Sequence, residues 1–332
     1  MKKLILVSIL AIFAIQPANS QDTFSIVAVD SITGEVGSAG ASCVDLFQAG
    51  LSNDDFLGQL IPNVGAINTQ AYYIPANQTN ATNRMNLGET PSQIISWLVA
   101  NDVQSQPQRR QYGIAAIING SPETAAHTGS STDNYKNHII GPYYSIQGNI
   151  LLGQEVLDSM ESRFLNASGD LACKLMAALQ GANMVGADTR CSSNGTSSLF
   201  AFVKVAQPAD VFGKPSFNVS VRTANNSGVE PIDSLQTKFD LAHNCDDLSL
   251  TVTEDFQKFF SIYPNPSSDA ITIESKTEKF YDLFLFDIAG KLMLQDSFDK
   301  TKNLNISQYK GGTYFIKMTN VNRTVVKQII IE

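Results

Sequence analysis

Thr23-Phe24-Ser25-Ile26-Val27-Ala28-Val29, then Asp30-Ser31-Ile32-Thr33-Gly34, then Glu35-Val36-Gly37-Ser38-Ala39-Gly40-Ala41-Ser42 is the stretch on which the fold turns. Its first part alternates and is rich in strand formers. Its second is a turn, with Asp30 placed to hold it, and its third resumes an extended run. Together they read as a β-hairpin. The small residues of the second strand imply close approach by another backbone, a second sheet or a ligand, and sheet packing is the plainest reading.

Downstream, residues 64–73 and 112–118 read as strands, and Asn119-Gly120 is a hairpin signal whose returning strand ends in Ala126-His127-Thr128-Gly129. Thr90-Pro91-Ser92-Gln93 is a capping box with proline at the first helical position, opening a helix that carries Ile94, Ile95, Trp97 and Leu98. Residues 144–152 are a strand broken by Gly148. Helices are expected at 154–165 and 170–180, with Gly181 at the C′ position. A loop at 185–195 holds Asp188, Arg190 and Cys191. Strands at 196–206 and 216–223 precede a helix opened by Pro231. Strands, a helix, strands, two helices, strands and a helix make an α+β layered sandwich rather than a doubly wound sheet.

Past Asp246 the character changes. A polar connection leads to short strands only, at 270–274, 281–287, 291–295, 313–319 and 324–331, with turns at Ala289-Gly290 and Gly311-Gly312. This is a small all-β sandwich. At the other end, Lys2 and Lys3 precede an apolar run of twelve residues at 4–15, and Ala18-Asn19-Ser20 is a small-x-small cleavage site. That pattern is an export signal, too short in its apolar core for a membrane span. The expected organisation is signal peptide 1–20, a layered domain 21–246, a linker 247–260 and a C-terminal domain 261–332.

The chain has 332 residues and a net charge of −8, from 23 basic and 31 acidic side chains. An acidic balance argues against nucleic acid as a partner. Only 16% of residues are charged, so Ser, Thr, Asn and Gln must cover much of the surface. The triplets at Asn77, Asn80, Asn166 and Asn218 read as such polar surface. Cys43, Cys173, Cys191 and Cys245 make an even count in an exported chain, which favours disulfides over metal ligation. Three pairings are open, and the one expected is Cys173–Cys191 with Cys43–Cys245. A catalytic Cys43 is the minor alternative. Phosphate loops, Rossmann fingerprints, HExxH and GxSxG are absent, and no metal or cofactor is expected.

Tyr263-Pro264-Asn265-Pro266, Asp287-Ile288-Ala289-Gly290-Lys291, Gly311-Gly312-Thr313-Tyr314-Phe315 and the terminal strand from Lys327 to Glu332 resemble the type A sorting domain of the Por, or type IX, secretion system. The resemblance implies a Bacteroidota-type cell. It also implies engagement of the type IX machinery through 261–332, and a secreted or cell-surface location after outer-membrane passage.

Thr23 to Ala28, Val64-Gly65-Ala66-Ile67-Asn68-Thr69-Gln70, His127-Thr128-Gly129, Ile146-Gln147-Gly148-Asn149-Ile150-Leu151 and Gly186-Ala187-Asp188-Thr189-Arg190 resemble, in that order, domain of unknown function 1028. This family is similar to the N-terminal-nucleophile (Ntn) hydrolases. The resemblance implies a four-layer αββα sandwich and places Thr23 where such a hydrolase carries its nucleophile.

Ntn chemistry needs a hydroxyl or thiol and a free α-amine on one residue. Export cleavage alone leaves Gln21 and Asp22 ahead of Thr23, so a second cut is required. Thr23, Asn149 and Asp188 are the catalytic candidates, with Asn149 a donor to an oxyanion. His127, Gln147, Arg190, Asn68 and Gln70 are candidates for binding a small-molecule or peptide-like substrate. Asp188 and Arg190, two apart, pair or order the site. Two functions follow: a secreted hydrolase of amide-type bonds, and a non-catalytic module that binds extracellular or cell-wall ligands in the same cleft.

Overall fold

The computed structural model describes residues 23–245, 260–276, 280–288, 290–320 and 323–332. The export signal, Gln21-Asp22 and nearly all of the linker lie outside the described residues. The chain divides into two compact units, one ending at Asp246 and the other beginning at Asp247.

The first unit is built on the hairpin. Strand β1 (Thr23–Val29) pairs antiparallel with β2 (Val36–Ser42), in a register running from Thr23↔Ser42 to Val29↔Val36. The turn is held as expected: Ile32 N–H donates to Asp30 Oδ1 at 2.8 Å, and Gly34 takes φ 78°. The other strands of the first unit are β3 (Gly58–Ile61), β4 (Gly65–Gln70), β5 (Gln111–Ile118), β6 (Ser121–Thr128), β7 (Asn137–Ile140), β8 (Tyr144–Gly148), β9 (Phe200–Ala206) and β10 (Phe217–Arg222). They form a six-stranded sheet in the order β10-β9-β2-β1-β8-β7 and a four-stranded sheet in the order β3-β4-β5-β6. The β5–β6 turn is Asn119-Gly120, with φ 50° and 78°, the left-handed pair that a two-residue hairpin loop demands.

Helices α1 (Pro75–Asn86) and α2 (Pro91–Ala100) cover the outer face of the smaller sheet. Helices α3 (Gln154–Asn166), α4 (Leu171–Gly181) and α5 (Pro231–Ala242) cover the outer face of the larger. This is the αββα sandwich. The capping box at Thr90 is formed from both sides, and Asp170 caps α4 through Cys173 N. Gly181 is the last helical residue of α4, not the C′ residue. A Cβ there would lie 2.4 Å from Ser159 O, so glycine serves the close α3–α4 crossing. On β2 the close neighbour is a helix at one glycine and the sheet at another: a Cβ on Gly37 would lie 2.5 Å from Leu175 of α4, and one on Gly40 would lie 3.0 Å from the Phe202 ring of β9.

Period-two alternation divides the interior. Phe24, Ile26 and Ala28 of β1 pack under the helices with Leu175, Met176 and Phe164. Thr23, Ser25, Val27 and Val29 point between the sheets. At one end of that layer Val27, Val29 and Val36 meet Leu60, Ala66 and Ala115, each full burial of a Val or Leu contributing about 1.5–3 kcal/mol. At the other end the layer is polar, and there the candidate residues gather.

Both disulfides differ from the expected pairing. Cys43 bonds Cys191 and Cys173 bonds Cys245, each with Cα atoms 5.7 Å apart. Cys173 lies in the first turn of α4 and Cys191 beyond its C-terminal end, about 12 Å of helix away, out of reach of a disulfide. Cys43 instead follows β2, against the loop that carries Cys191. With all four sulfurs bonded, Cys43 is not a free thiol. Asn77 is not surface either: it is buried, and its amide donates to Asp102 at 2.6 Å and to Tyr112 at 3.0 Å.

The second unit is a two-sheet sandwich. One sheet is β11 (Phe260–Tyr263), β12 (Ala270–Ser275) and β15 (Thr301–Asn305). The other orders β14 (Leu292–Phe298), β13 (Tyr281–Asp287), β16 (Gly312–Asn320) and β17 (Arg323–Ile331). Phe260, Ile273, Leu283, Ile316 and Ile329 share its core. Asn265 clamps the terminal strand, accepting from Ile330 N at 2.8 Å and donating to Gln328 O at 3.1 Å. Asp287 closes its turn by accepting from Lys291 N at 2.9 Å. Among the described residues no helix is long and apolar enough to cross a membrane.

Candidate functional site

Thr23 opens β1 at the polar end of the inter-sheet layer, buried between β2 and β8 in the larger sheet. Its carbonyl accepts from Asn149 N at 3.1 Å and from Gln70 Nε2 at 3.0 Å. Ser25, one step along the same face, donates through Oγ to Gln70 Oε1 at 2.6 Å and accepts from Gln147 Nε2 at 2.6 Å. Gln147 Oε1 accepts in turn from Ser145 Oγ at 3.0 Å. A Cβ on Gly113 would fall 1.8 Å from Gln147 Oε1, so glycine on β5 makes the room this side chain occupies.

Gln111 is the hub. Its Nε2 faces three acceptors, Thr128 Oγ1 at 2.9 Å, Asn137 O at 3.1 Å and Gly148 O at 2.9 Å. Its Oε1 must therefore face the opposite way, and it accepts from Gln70 Nε2 at 2.7 Å and Asn149 Nδ2 at 2.9 Å. This fixes Asn149 in turn, because turning its amide over would set two oxygens against each other. Asn149 Oδ1 is left buried with no partner among the described residues. An orphaned buried acceptor costs roughly 1–3 kcal/mol.

Asp188 and Arg190 close the same end. Asp188 caps a short 3₁₀ helix, Thr189–Asn194, and is fully buried. Its Oδ1 accepts from Arg190 Nε at 3.0 Å, and its Oδ2 from Arg190 Nη2 at 2.6 Å and Cys43 N at 2.9 Å. Arg190 Nη2 reaches Ser42 Oγ, on the register partner of Thr23, at 3.4 Å. The Cys43–Cys191 bond ties this loop to the end of β2. Three non-glycine residues adopt left-handed backbone beside the site: Ala71 and Tyr72 just after Gln70, and Ile150 just after Asn149, with φ 54°, 53° and 53°. Such strain costs of order 1–3 kcal/mol per residue and collects where side chains must be aimed.

The strain after Gln70 is held from below. Arg110 Nη1 donates to Tyr72 O at 2.6 Å, and the buried Arg110 guanidinium pairs with Asp102 at 2.8 Å. Burial pushes the Asp102 carboxyl up, but the Arg110, Gln106 and Asn77 donors outweigh it and hold its pKa at about 2.

Two candidates stand apart. His127 faces the helical side of the smaller sheet, stacked on Tyr112 at 6.0 Å with Nε2 on Pro107 O at 3.0 Å. The alternation turns Thr128 inward in its place, where its Oγ1 meets Gln111 and, at 2.8 Å, His138 Nδ1. Burial, and then the charge of His127, lower the pKa of His138. Asn68 is inward but deeper, accepting from Ser38 Oγ at 2.6 Å and donating to Ile26 O at 3.1 Å. Thr23, Gln70, Gln147, Asn149, Asp188 and Arg190 do converge. Sequence reasoning missed Ser25, Gln111 and Thr128; of these, Ser25 alone carried a signal, its place two residues along β1 from Thr23.

The model of a family of unknown function, DUF1028, matches residues 23–226. The chain belongs to this family. A crystal structure of a DUF1028 protein from Silicibacter pomeroyi superposes on it with a TM-score of 0.52 at 22% identity, covering 68% of this chain and 91% of that one. At that identity the likeness is one of fold. Residues 261–332 match the secretion system C-terminal sorting domain. This DUF1028 protein therefore engages the type IX secretion machinery and is secreted, at the cell surface or beyond it. A curated relative, an endo-acting ulvan lyase of Formosa agariphila, is 31% identical over 74 residues, 21% of this chain. The match spans only 14% of that relative's length.

Proposed function

We propose that this protein is a secreted amidohydrolase whose nucleophile is Thr23, exposed by removal of an export signal at 1–20 in a Bacteroidota-type cell and a second cut after Asp22. The observation that carries the reading is the convergence of a buried polar cluster on the first residue of the central hairpin strand. Elsewhere the inter-sheet layer is mostly apolar, with isolated polar pairs such as Ser38 with Asn68 and Lys204 with Asp55.

In this reading Thr23 Oγ attacks the amide carbonyl carbon while its own α-amine takes the hydroxyl proton. The second N–H of Asn149 Nδ2 stabilises the oxyanion, an effect worth about 3–4 kcal/mol for a well-placed donor. The intermediate collapses, the C–N bond breaks, and the α-ammonium returns its proton to the leaving amine. Water then attacks the Thr23 ester, the α-amine takes a proton from it, and the acid departs as Thr23 Oγ recovers its hydrogen. Gln70 and Gln147 hold the β1 backbone, Asp188 aims Arg190, and Arg190 binds a polar group of the substrate. His127 and Asn68 take no part in the chemistry.

A binding module without turnover is the second reading, favoured by the near-complete internal pairing of Ser25, Gln70, Gln111 and Gln147. The purified secreted protein assayed against a panel of N-acyl amino acids and dipeptides separates the two. Turnover that falls at least ~100-fold in Thr23→Ala supports the hydrolase. Turnover unchanged in Thr23→Ala sinks it, and saturable binding without turnover establishes the module.

A further inference from the structure

The two sheets differ in width, and the difference leaves a second site. Six strands face four, and β3 stacks over β2 and β9, so the inner face of β10 has no strand above it. There a cleft of about 210 Å³ opens between the segment leading into β3, the edge of β3 and the β9–β10 connection. It is separate from Thr23. Lys204 on its wall pairs with Ser38, and Ser38 with Val27. Thr23 is thus four residues along and two strands across, about 15 Å away.

Along the inner face of β9 the residues are Phe200, Phe202, Lys204 and Ala206, so Lys204 is a charge set in an apolar row. It is only 7% exposed. A buried ammonium is costly unless paired, and removing a partner from such a pair costs several kcal/mol. Lys204 Nζ donates to Asp55 Oδ2 and Asp55 O, both at 2.9 Å, and Asn218 Nδ2 donates to Asp55 Oδ2 at 2.8 Å. Lys204 Nζ also lies 5.6 Å from the centroid of the Phe202 ring, and among the described residues its third N–H and Asp55 Oδ1 have no hydrogen-bond partner. A donor and an acceptor thus stand side by side in a polar cleft. Gln59 borders the cleft, and Phe56 and Tyr73, whose rings meet edge to face 5.1 Å apart, form part of its wall.

We propose that this cleft binds a neutral, hydroxyl-bearing ligand of single-ring size, a monosaccharide or its terminal residue on a larger glycan. The charges of Lys204 and Asp55 cancel, which disfavours an ionic ligand. A hydroxyl both donates and accepts, and it satisfies the open N–H and the open carboxylate oxygen together. The aromatic rings offer an apolar face to the C–H side of a sugar ring. The volume lies below the roughly 300–1,000 Å³ of drug-sized sites, which limits the occupant to about one ring.

The test is saturation-transfer NMR of the secreted protein with D-glucose, D-galactose, D-xylose and L-rhamnose, each at ~10 mM, a range that detects millimolar affinity. D-glucuronate is the charged comparison. The expected result is saturation of at least one neutral sugar, weakened about tenfold or more in Lys204→Met/Asp55→Leu, which removes the charges as a pair. Gln59→Trp, which fills the cleft from its half-exposed rim, gives the same loss without touching the ion pair. Thr23→Ala leaves binding unchanged, so this proposal and the hydrolase reading fail separately. No neutral sugar bound, binding undiminished in the folded variants, or glucuronate bound more than about tenfold tighter would each overturn it.

Discussion

Gln111 shows how one side chain sets the chemistry of its neighbours. Its carboxamide spans both sheets, and the direction in which it points dictates which atom Asn149 presents near Thr23. Gln111→Met keeps the volume and removes every hydrogen bond. Asn149 Nδ2 then loses its acceptor, and Gly148 O and Asn137 O each lose one donor. The expected cost is about 2–4 kcal/mol, read as a lower urea midpoint with an unchanged m-value. In the sequence, Gln70, Gln147 and Asn149 came together only through the motifs of the family resemblance. The sequence concealed Gln111 because a lone glutamine opening an apolar strand has no local mark. His127 stands apart for a related reason: strand parity turns it to the helical face with Tyr112 and gives the inward position to Thr128.

At the scale of elements, the least legible piece was α1. Pro-Ala-Asn-Gln-Thr-Asn-Ala-Thr-Asn-Arg-Met-Asn has little apolar periodicity and many weak helix formers. Tertiary contacts override that propensity. Pro75 starts the helix, and Gln78 Nε2 donates to Leu57 O and Thr69 Oγ1, both at 3.0 Å. Asn77 joins Asp102 and Arg110 beneath α2. The hairpins and α2 were legible because turn chemistry and caps act locally. The Asp102 cluster predicts an acid sensitivity with a definite sign. Its folded pKa of about 2 lies below the unfolded value near 3.9, so its contribution is complete above about pH 4 and is lost as pH falls toward 2. That contribution is about 2–3 kcal/mol. Asp102→Asn should flatten the fall in thermal midpoint between pH 4 and 2 while lowering stability at pH 7, where the Arg110 charge is left buried and unpaired.

At the scale of the whole molecule, long-range covalent links decide what spacing cannot. Cys43 and Cys191 are 148 positions apart, and their bond holds the Asp188–Arg190 loop against β2. The layered order of elements was readable from the chain, but which sulfurs meet depends on the finished sandwich. A non-reducing peptide map should recover Cys43 with Cys191 and Cys173 with Cys245. Cys43→Ser/Cys191→Ser should cost about 2–5 kcal/mol, with faster amide exchange concentrated in residues 188–195. The sorting domain gives the protein its destination, and the sandwich ahead of it presents Thr23 at the polar end of the inter-sheet layer. The most direct measurement is the amino-terminal sequence and intact mass of the protein recovered from culture supernatant. The account predicts a chain that begins at Thr23, whereas active material that begins at Gln21 would contradict it.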